Sequence, residues 1–328
     1  MRSASSPPPE LGHGEVSTGP PPAGGPSVVA LFGPTGVGKT AVALALAGRL
    51  REHGEDPVAV SADALQVYAG LQTLTGAASA EERARLEHRL VGTVPVTETF
   101  SVGAYMPLAH AEVDAALAAG RRPIVVGGTG LYLRAALTEL DLRPPPAPGL
   151  RESVEHAAEV RGLIDLHAEL ARRAPGVAAT VRATDRSRLL RALELLEAGE
   201  DPAPTAPAGE SELWSARTRR PTLLVGLVAG RETLIARIDA RVDAMVAAGV
   251  EAEVRRAVAA GASATARKAV GFEELLAGDV EAMKRRTRRY AKRQLTWMRK
   301  LAGVSLVEMT DRTPEEAAGE VVALLRAG

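Results

Sequence analysis

Gly33-Pro34-Thr35-Gly36-Val37-Gly38-Lys39-Thr40 decides the fold of this 328-residue chain. The octapeptide fits G-x-x-x-x-G-K-[ST], and its flanks are those the motif requires. The apolar run 27–32 reads as a buried strand and residues 41–50 read as a helix. A glycine-rich loop between the two lets backbone N–H groups wrap a phosphate at the helix N-terminus. Gly33, Thr35, Gly36, Val37, Gly38, Lys39 and Thr40 are thus the candidate diphosphate-binding residues, with Lys39 adding charge and the Thr40 hydroxyl available to Mg²⁺. The motif predicts a di- or triphosphate ligand.

Working outward, residues 57–61 read as a second strand ending near Asp63. A helical stretch follows at about 80–90, then a helix over 104–119 and a third strand over 123–126 running into Gly127-Gly128-Thr129-Gly130. Strands alternating with helices predict a P-loop NTPase-like α/β core built on a parallel sheet. Between 141 and 213 helical segments at 150–172 and 184–198 occur with no strand, and Pro202, Pro204 and Pro207 mark a loop. Residues 222–228 return to the sheet, and 231–328 read as predominantly helical. The expected organisation is a core over 27–140 and 214–328, a helical insertion over 141–213, and a proline-rich disordered tail over 1–26.

Composition narrows the function little. Lys+Arg and Asp+Glu both number 40, so any nucleic-acid signal must be local. The absence of cysteine excludes disulfides and favours the cytoplasm. No apolar run nears the roughly 20 residues of a membrane span, and no histidine spacing suggests a metal site.

Three further features carry chemistry. A nucleotide-hydrolysing P-loop protein usually carries an acid at the end of a later strand. Here 124–126 ends in glycines, leaving Asp63 as the one acid directly after a core strand. The loop would then grip a pyrophosphate leaving group, with Asp63 as a base; an ordinary helix N-cap or a Mg²⁺ ligand remains the alternative. Next, nine of the 17 residues from 284 to 300 are Lys or Arg. Such a stripe suits a phosphate backbone, with Gln294 and Trp297 able to contact bases or sugars, or else it is a solvated helix face. Finally, Arg231 and Arg237 follow the strand at 222–228, where guanidinium groups would stabilise a departing pyrophosphate.

Taken in order, these segments resemble the tRNA dimethylallyltransferase family. The resemblance rests on residues 33–40, Ser61-Ala62-Asp63-Ala64-Leu65-Gln66, Gly127-Gly128-Thr129-Gly130-Leu131-Tyr132, Asp185-Arg186-Ser187-Arg188, Ala269-Val270-Gly271-Phe272 and Ala291-Lys292-Arg293-Gln294-Leu295-Thr296-Trp297, and spans about 28–300. It implies transfer of a dimethylallyl group from dimethylallyl diphosphate to N6 of the adenine 3′-adjacent to the anticodon, with Mg²⁺ assisting. Asp63, Thr129, Arg231 and Arg237 would be catalytic. Asp63, Ala64, Leu65, Gln66, Thr129, Ser187, Arg188, Arg191, Lys268, Arg285, Arg289, Lys292, Arg293, Gln294 and Trp297 would meet the tRNA anticodon stem-loop. The resemblance also implies a cytoplasmic monomer. The chain departs from the family at Leu74-Thr75-Gly76-Ala77-Ala78-Ser79, where Gly-Thr-Ala-Lys-Pro is usual, at His88-Arg89 in place of His-His, and at Glu273 in place of a basic residue. These changes bear on the acceptor. Two other classes stay open: an isopentenyltransferase of free adenine nucleotides, which would not need the basic helix, and a small-molecule P-loop kinase.

Overall fold

The computed structural model describes residues 25–143, 147, 149–203 and 212–327. The expected tail lies outside the described residues except for Gly25 and Pro26, as does the stretch 204–211 of the proline-rich loop. Residues Glu139–Ser215 cluster as one compact unit, and the chain before and after them forms the other.

The larger unit is built on six strands: β1 (Val28–Phe32), β2 (Pro57–Ser61), β3 (His88–Arg89), β4 (Arg122–Gly127), β5 (Thr222–Val228) and β6 (Val304–Glu308). Their order is β3-β2-β4-β1-β5-β6 and every pairing is parallel. Strand β1 is central, with Leu31 in register with Val126 of β4 and Val225 of β5. A parallel sheet covered on both faces asks for continuous apolar runs, and all five residues of β1 and of β2 are buried. Pleating divides them. Val29 and Leu31 pack with Val42, Leu46 and Leu50 of the helix Lys39–Glu52, while Val28, Ala30 and Phe32 turn to the opposite face.

Two strands differ from expectation. The helix expected at 80–90 stops at Arg85, because Leu86 is extended (φ −146°), and His88–Arg89 pairs with β2 instead. This helix runs over Ala80–Arg85, opens on a Ser79–Glu82 capping box and buries none of its side chains, so nothing in the core sustains it further. Strand β6 falls within the stretch read as predominantly helical. It is an edge strand in which Val307 is buried while Leu306 is 60% exposed, an arrangement that hides the usual alternation.

The second unit contains the helices Leu150–Arg161, Leu163–Arg173 and Arg186–Glu197, packed through Val154, Leu166, Leu170, Leu189 and Leu193. Gly162 at φ 79° divides the segment expected as one helix into two.

Candidate active site

The loop 33–40 leaves the C-terminal end of β1 and enters the helix Lys39–Glu52. Gly36 (φ 81°) and Gly38 (φ 102°) hold left-handed conformations that a side chain would strain. Val37 is fully buried and pins the loop to the core, so it serves the site through its backbone. Gly38 caps the helix without any side-chain acceptor, leaving first-turn N–H groups for an anion. Lys39 Nζ donates to the carbonyls of Gly33 (2.9 Å) and Pro34 (3.1 Å). Burial, aided by the charge of Arg241 and opposed by Asp63, lowers the Lys39 pKa to about 8.

Lys39 opens onto a cavity of about 700 Å³, also lined by Thr35, Thr40, Asp63, Arg241 and Tyr290. Asp63 stands just beyond β2 with one carboxylate oxygen, Oδ1, accepting from the amides of Leu65 (3.0 Å) and Gln66 (3.4 Å). The local anchor that an N-cap would supply is therefore present. The second oxygen has no partner among the described residues, and the side chain faces the phosphate loop across the cavity. Burial pushes the Asp63 carboxyl upward, against the pull of the Leu65 amide, Lys39, the Gln66 amide and Arg241. A half-buried carboxylate with one free oxygen and a raised pKa can accept a proton from a bound substrate.

The neighbouring segments hold this arrangement. The Thr129 hydroxyl accepts from the Ala64 amide (3.5 Å) and lies 3.3 Å from the Tyr290 hydroxyl, joining the turn after β2 to the helix Val280–Met298. Leu65 and Gln66 line the cavity. Gln294, expected to contact bases or sugars, is buried and already engaged. Its Oε1 accepts from the Thr35 amide (2.8 Å) and its Nε2 donates to the Gly128 carbonyl (2.7 Å). A helix-borne amide thus clasps the phosphate loop.

Arg231 and Arg237, expected at the pyrophosphate, are not among the residues lining the cavity. Arg231 is exposed at the start of the helix Arg231–Ala247, and Arg237 donates to the carbonyls of Met309 (2.9 Å) and Thr310 (3.3 Å). One turn further on, Arg241 does line it. Arg241 belongs to the sequence segment that carries the family resemblance, Arg231 through Arg237 with Arg241-Val242-Asp243, but no role is assigned to it there; its spacing of four from Arg237 is the available signal. Asp63 also has a counterpart, since Glu308 ends β6. That carboxylate accepts from the Met309 and Thr310 amides and stays outside the cavity.

The basic helix Val280–Met298 sorts its charges by face. It buries Met283, Thr287, Ala291, Gln294 and Met298. Lys284 pairs with Asp243 (2.7 Å), Arg286 with Glu274 (2.8 Å) and Arg288 with Asp239 (2.5 Å). Arg285, Arg289, Lys292 and Arg293 are exposed, and among the described residues only Arg285 of these has an acid within ion-pair distance, Asp279 at 3.6 Å. Arg293 lies over the Tyr290 ring (5.6 Å). Trp297 is half-buried and packs its indole over Gly130. Elsewhere, Lys268 is exposed at the end of a 3₁₀ turn. Glu273 is neutralised by Arg267 (2.9 Å), so that departure leaves no uncompensated acid. In the second unit Ser187 and Arg188 are exposed, the latter 3.6 Å from Asp185. Arg191 is instead committed to the buried Glu194 (3.1 Å).

Known proteins share this pattern. The family model for IPP transferase matches residues 66–301, and one for isopentenyl transferase matches residues 26–100. A tRNA dimethylallyltransferase of Thermobifida fusca is 40% identical over 286 residues, 84% of this chain and 87% of its own length. One from Methylobacterium is 41% identical over 293 residues, covering 84% and 91%. The solved full-length tRNA isopentenylpyrophosphate transferase of Bacillus halodurans superimposes with a TM-score of 0.65 at 30% identity, over 92% of this chain and 95% of that one. A eukaryotic dimethylallyltransferase acting on tRNA gives 0.67 at 25% identity, over 87% and 74%.

Proposed function

The chain belongs to the IPP transferase family, and from that premise we propose that it moves a dimethylallyl group from dimethylallyl diphosphate to N6 of a tRNA adenine. The observation that carries this reading is the shared cavity: the phosphate loop and Asp63 open into one space. In this reaction the allylic C–O bond breaks, its electron pair leaving with the pyrophosphate. The adenine N6 lone pair forms the new C–N bond, and Asp63 accepts the N6 proton. The loop amides and Lys39 receive the leaving pyrophosphate, whose developing charge is what such a cradle stabilises. Lys39 exchanges the Gly33 and Pro34 carbonyls for phosphate oxygens.

The donor set fits Mg²⁺. The Thr40 hydroxyl and the Asp63 carboxylate line the same cavity, and among the described residues no cluster of three His, Cys, Asp or Glu side chains could hold a metal alone. Mg²⁺ commonly takes few protein ligands and completes its shell with water and substrate phosphate, and there it would neutralise diphosphate charge. The exposed Arg289, Lys292 and Arg293 support an RNA acceptor, as do the tRNA-modifying relatives. We take the acceptor to be the adenine 3′-adjacent to the anticodon, flipped from its stack to reach the Asp63 carboxylate in the cavity. Among the described residues no helix is long and apolar enough to cross a membrane, and we assign the reaction to the cytoplasm.

Mass analysis of nucleosides from tRNA incubated with the purified protein, dimethylallyl diphosphate and Mg²⁺ tests the assignment. A dimethylallyl mass increment on adenosine is expected. Transfer to AMP with tRNA left unmodified would overturn it in favour of a free-nucleotide enzyme.

A further inference from the structure

The helix Val280–Met298 turns Met283, Thr287, Tyr290 and Gln294 toward the cavity, at the spacing of one helical face. Two of the three polar side chains are spent on backbone. The Thr287 hydroxyl donates to the Met283 carbonyl (2.7 Å), and Gln294 is divided between the Thr35 amide and the Gly128 carbonyl. Tyr290 is the third, and neither the departing pyrophosphate nor the N6 proton calls on it.

Its hydroxyl lies 3.3 Å from Thr129 Oγ1 and takes a hydrogen bond from the Gln294 side chain. Thr129 Oγ1 already accepts from the Ala64 amide (3.5 Å), so the threonine proton is available to the phenol oxygen. A phenol oxygen that accepts from both neighbours still has its own proton to give. Burial, and then the charge of Asp63, push the phenol above its ordinary value against the pull of Thr129, Arg293 and Gln294, so that proton stays on. The Asp63 carboxylate thus acts on the phenol through space, yet no hydrogen bond joins the two among the described residues. A gap lies between an acceptor and a donor, and both line the same cavity.

Adenine carries the complement of that pair on its Watson–Crick edge, an N6–H donor next to the N1 acceptor, and a flipped base is commonly read along this edge. Guanine and hypoxanthine reverse it, with an O6 acceptor next to an N1–H donor. Resting on the tRNA-adenine reading above, we propose that Tyr290 is a specificity-determining residue: its hydroxyl donates to N1 of the acceptor adenine while Asp63 accepts from N6. Guanine in the same pose would set its O6 against the carboxylate and its N1–H against the phenol proton. The Arg293 guanidinium, exposed like Arg289 and Lys292, lies over the Tyr290 ring (5.6 Å) and holds the reader to the basic face of the helix.

The test compares anticodon stem-loop RNAs that carry adenine, 1-deazaadenine or 7-deazaadenine at the target position. Each is prenylated by the full chain and by Tyr290→Phe, and kcat/KM is read. Tyr290→Phe keeps the ring beneath Arg293 and deletes only the hydroxyl. On adenine and 7-deazaadenine it should lower kcat/KM by about five- to tenfold, the scale of one neutral hydrogen bond. On 1-deazaadenine, which has no N1 to receive the bond, the two proteins should turn over alike. Loss of N1 also alters the reactivity of the amine, and comparing variant with wild type on the same RNA cancels that effect. A tyrosine that only supports the fold would cost the same factor on all three RNAs, and that result, or no loss on any, overturns the proposal. So does a loss confined to adenine and 1-deazaadenine, which would place the phenol at N7. The functional reading fails in a different way: a wild-type protein that prenylates AMP and none of the RNAs overturns it, and this assignment with it.

Discussion

One helix carries both committed and uncommitted cations, which gives an internal control for tRNA binding. Arg289, Lys292 and Arg293 are exposed with no acidic partner among the described residues, and they fall within about a third of a helical turn. Lys284, Arg286 and Arg288 on the same helix already face Asp243, Glu274 and Asp239. Replacing either trio by glutamine changes net charge by the same amount, so the long-range field shifts equally. Only the exposed trio can exchange counterions for phosphates. Each lost contact flattens the slope of log affinity against log salt by about 0.7 to 0.9, so three remove roughly 2 to 3 units. Between 50 and 200 mM salt, the wild type should therefore lose roughly 20- to 40-fold more affinity than the exposed-trio variant. Filter binding of tRNA across that range measures it, with donor affinity as a check that the site is intact. The paired-trio variant should keep a slope near wild type while its melting temperature drops, since it strands three carboxylates. Equal slopes for the two variants would refute the reasoning and make the stripe a solvated face. Arg285 is left out because its exposed contact with Asp279 is worth about 1 kcal/mol or less and leaves it ambiguous.

Asp63→Asn should lower kcat by about 10² to 10⁴ with tRNA affinity nearly unchanged, as expected for loss of a positioned base. The same substitution should leave stability unchanged or raise it at neutral pH. The folded carboxyl is held above its ordinary value of 3.8, so its stability contribution is full below that value and is lost as pH rises through the folded pKa. Thermal melts of both proteins from pH 4 to 8 check this, and a destabilised Asn variant would mark Asp63 as structural. Lys39→Ala should weaken the donor by about 1.5–3 kcal/mol and tRNA hardly at all, read as separate dissociation constants. Because burial lowers the Lys39 pKa to about 8, donor affinity in wild type should decline as pH rises through that value, and the decline should vanish in Lys39→Ala. Gly130→Ala would place a Cβ 2.3 Å from the Trp297 indole, and overpacking of this kind costs about 1–3 kcal/mol in denaturant unfolding.

The central sheet was legible in the sequence for a physical reason. Strands β1, β2, β4 and β5 are buried on both faces or nearly so, and that demand leaves apolar runs bounded by glycine or polar residues. The edges escape it. His88–Arg89 needs only two residues and a row of hydrogen bonds, and its arginine spends its charge on Glu87 and Glu112. Strand β6 has one buried side chain in five, so its pattern resembles the flank of a helix. With β6 in the sheet, Asp63 is not the one acid that follows a strand, since Glu308 ends β6, and geometry separates the two carboxylates. Asp63 has a free oxygen in the cavity, whereas Glu308 is occupied by its own turn.

The site was legible where a motif fixes backbone and side chain together, and obscure where identical residues differ only in direction. Arg237 and Arg241 sit one turn apart on one helix, yet one answers the carbonyls of Met309 and Thr310 and the other lines the cavity. Helical spacing places both on one side of the helix, and Gly76, some 165 residues earlier in the chain, leaves the room in which the Arg241 guanidinium lies. Gln294 teaches the same lesson from the other side. Beside Lys292 and Arg293 it reads as a base-contacting residue, but it satisfies the half-buried Thr35 amide and the buried Gly128 carbonyl. The helix that carries the exposed cations therefore also holds the loop that receives the donor. Through Gln294 that helix is tied by one hydrogen bond to the Thr35 amide and by another to the Gly128 carbonyl, so a displacement of the acceptor face reaches the donor cradle.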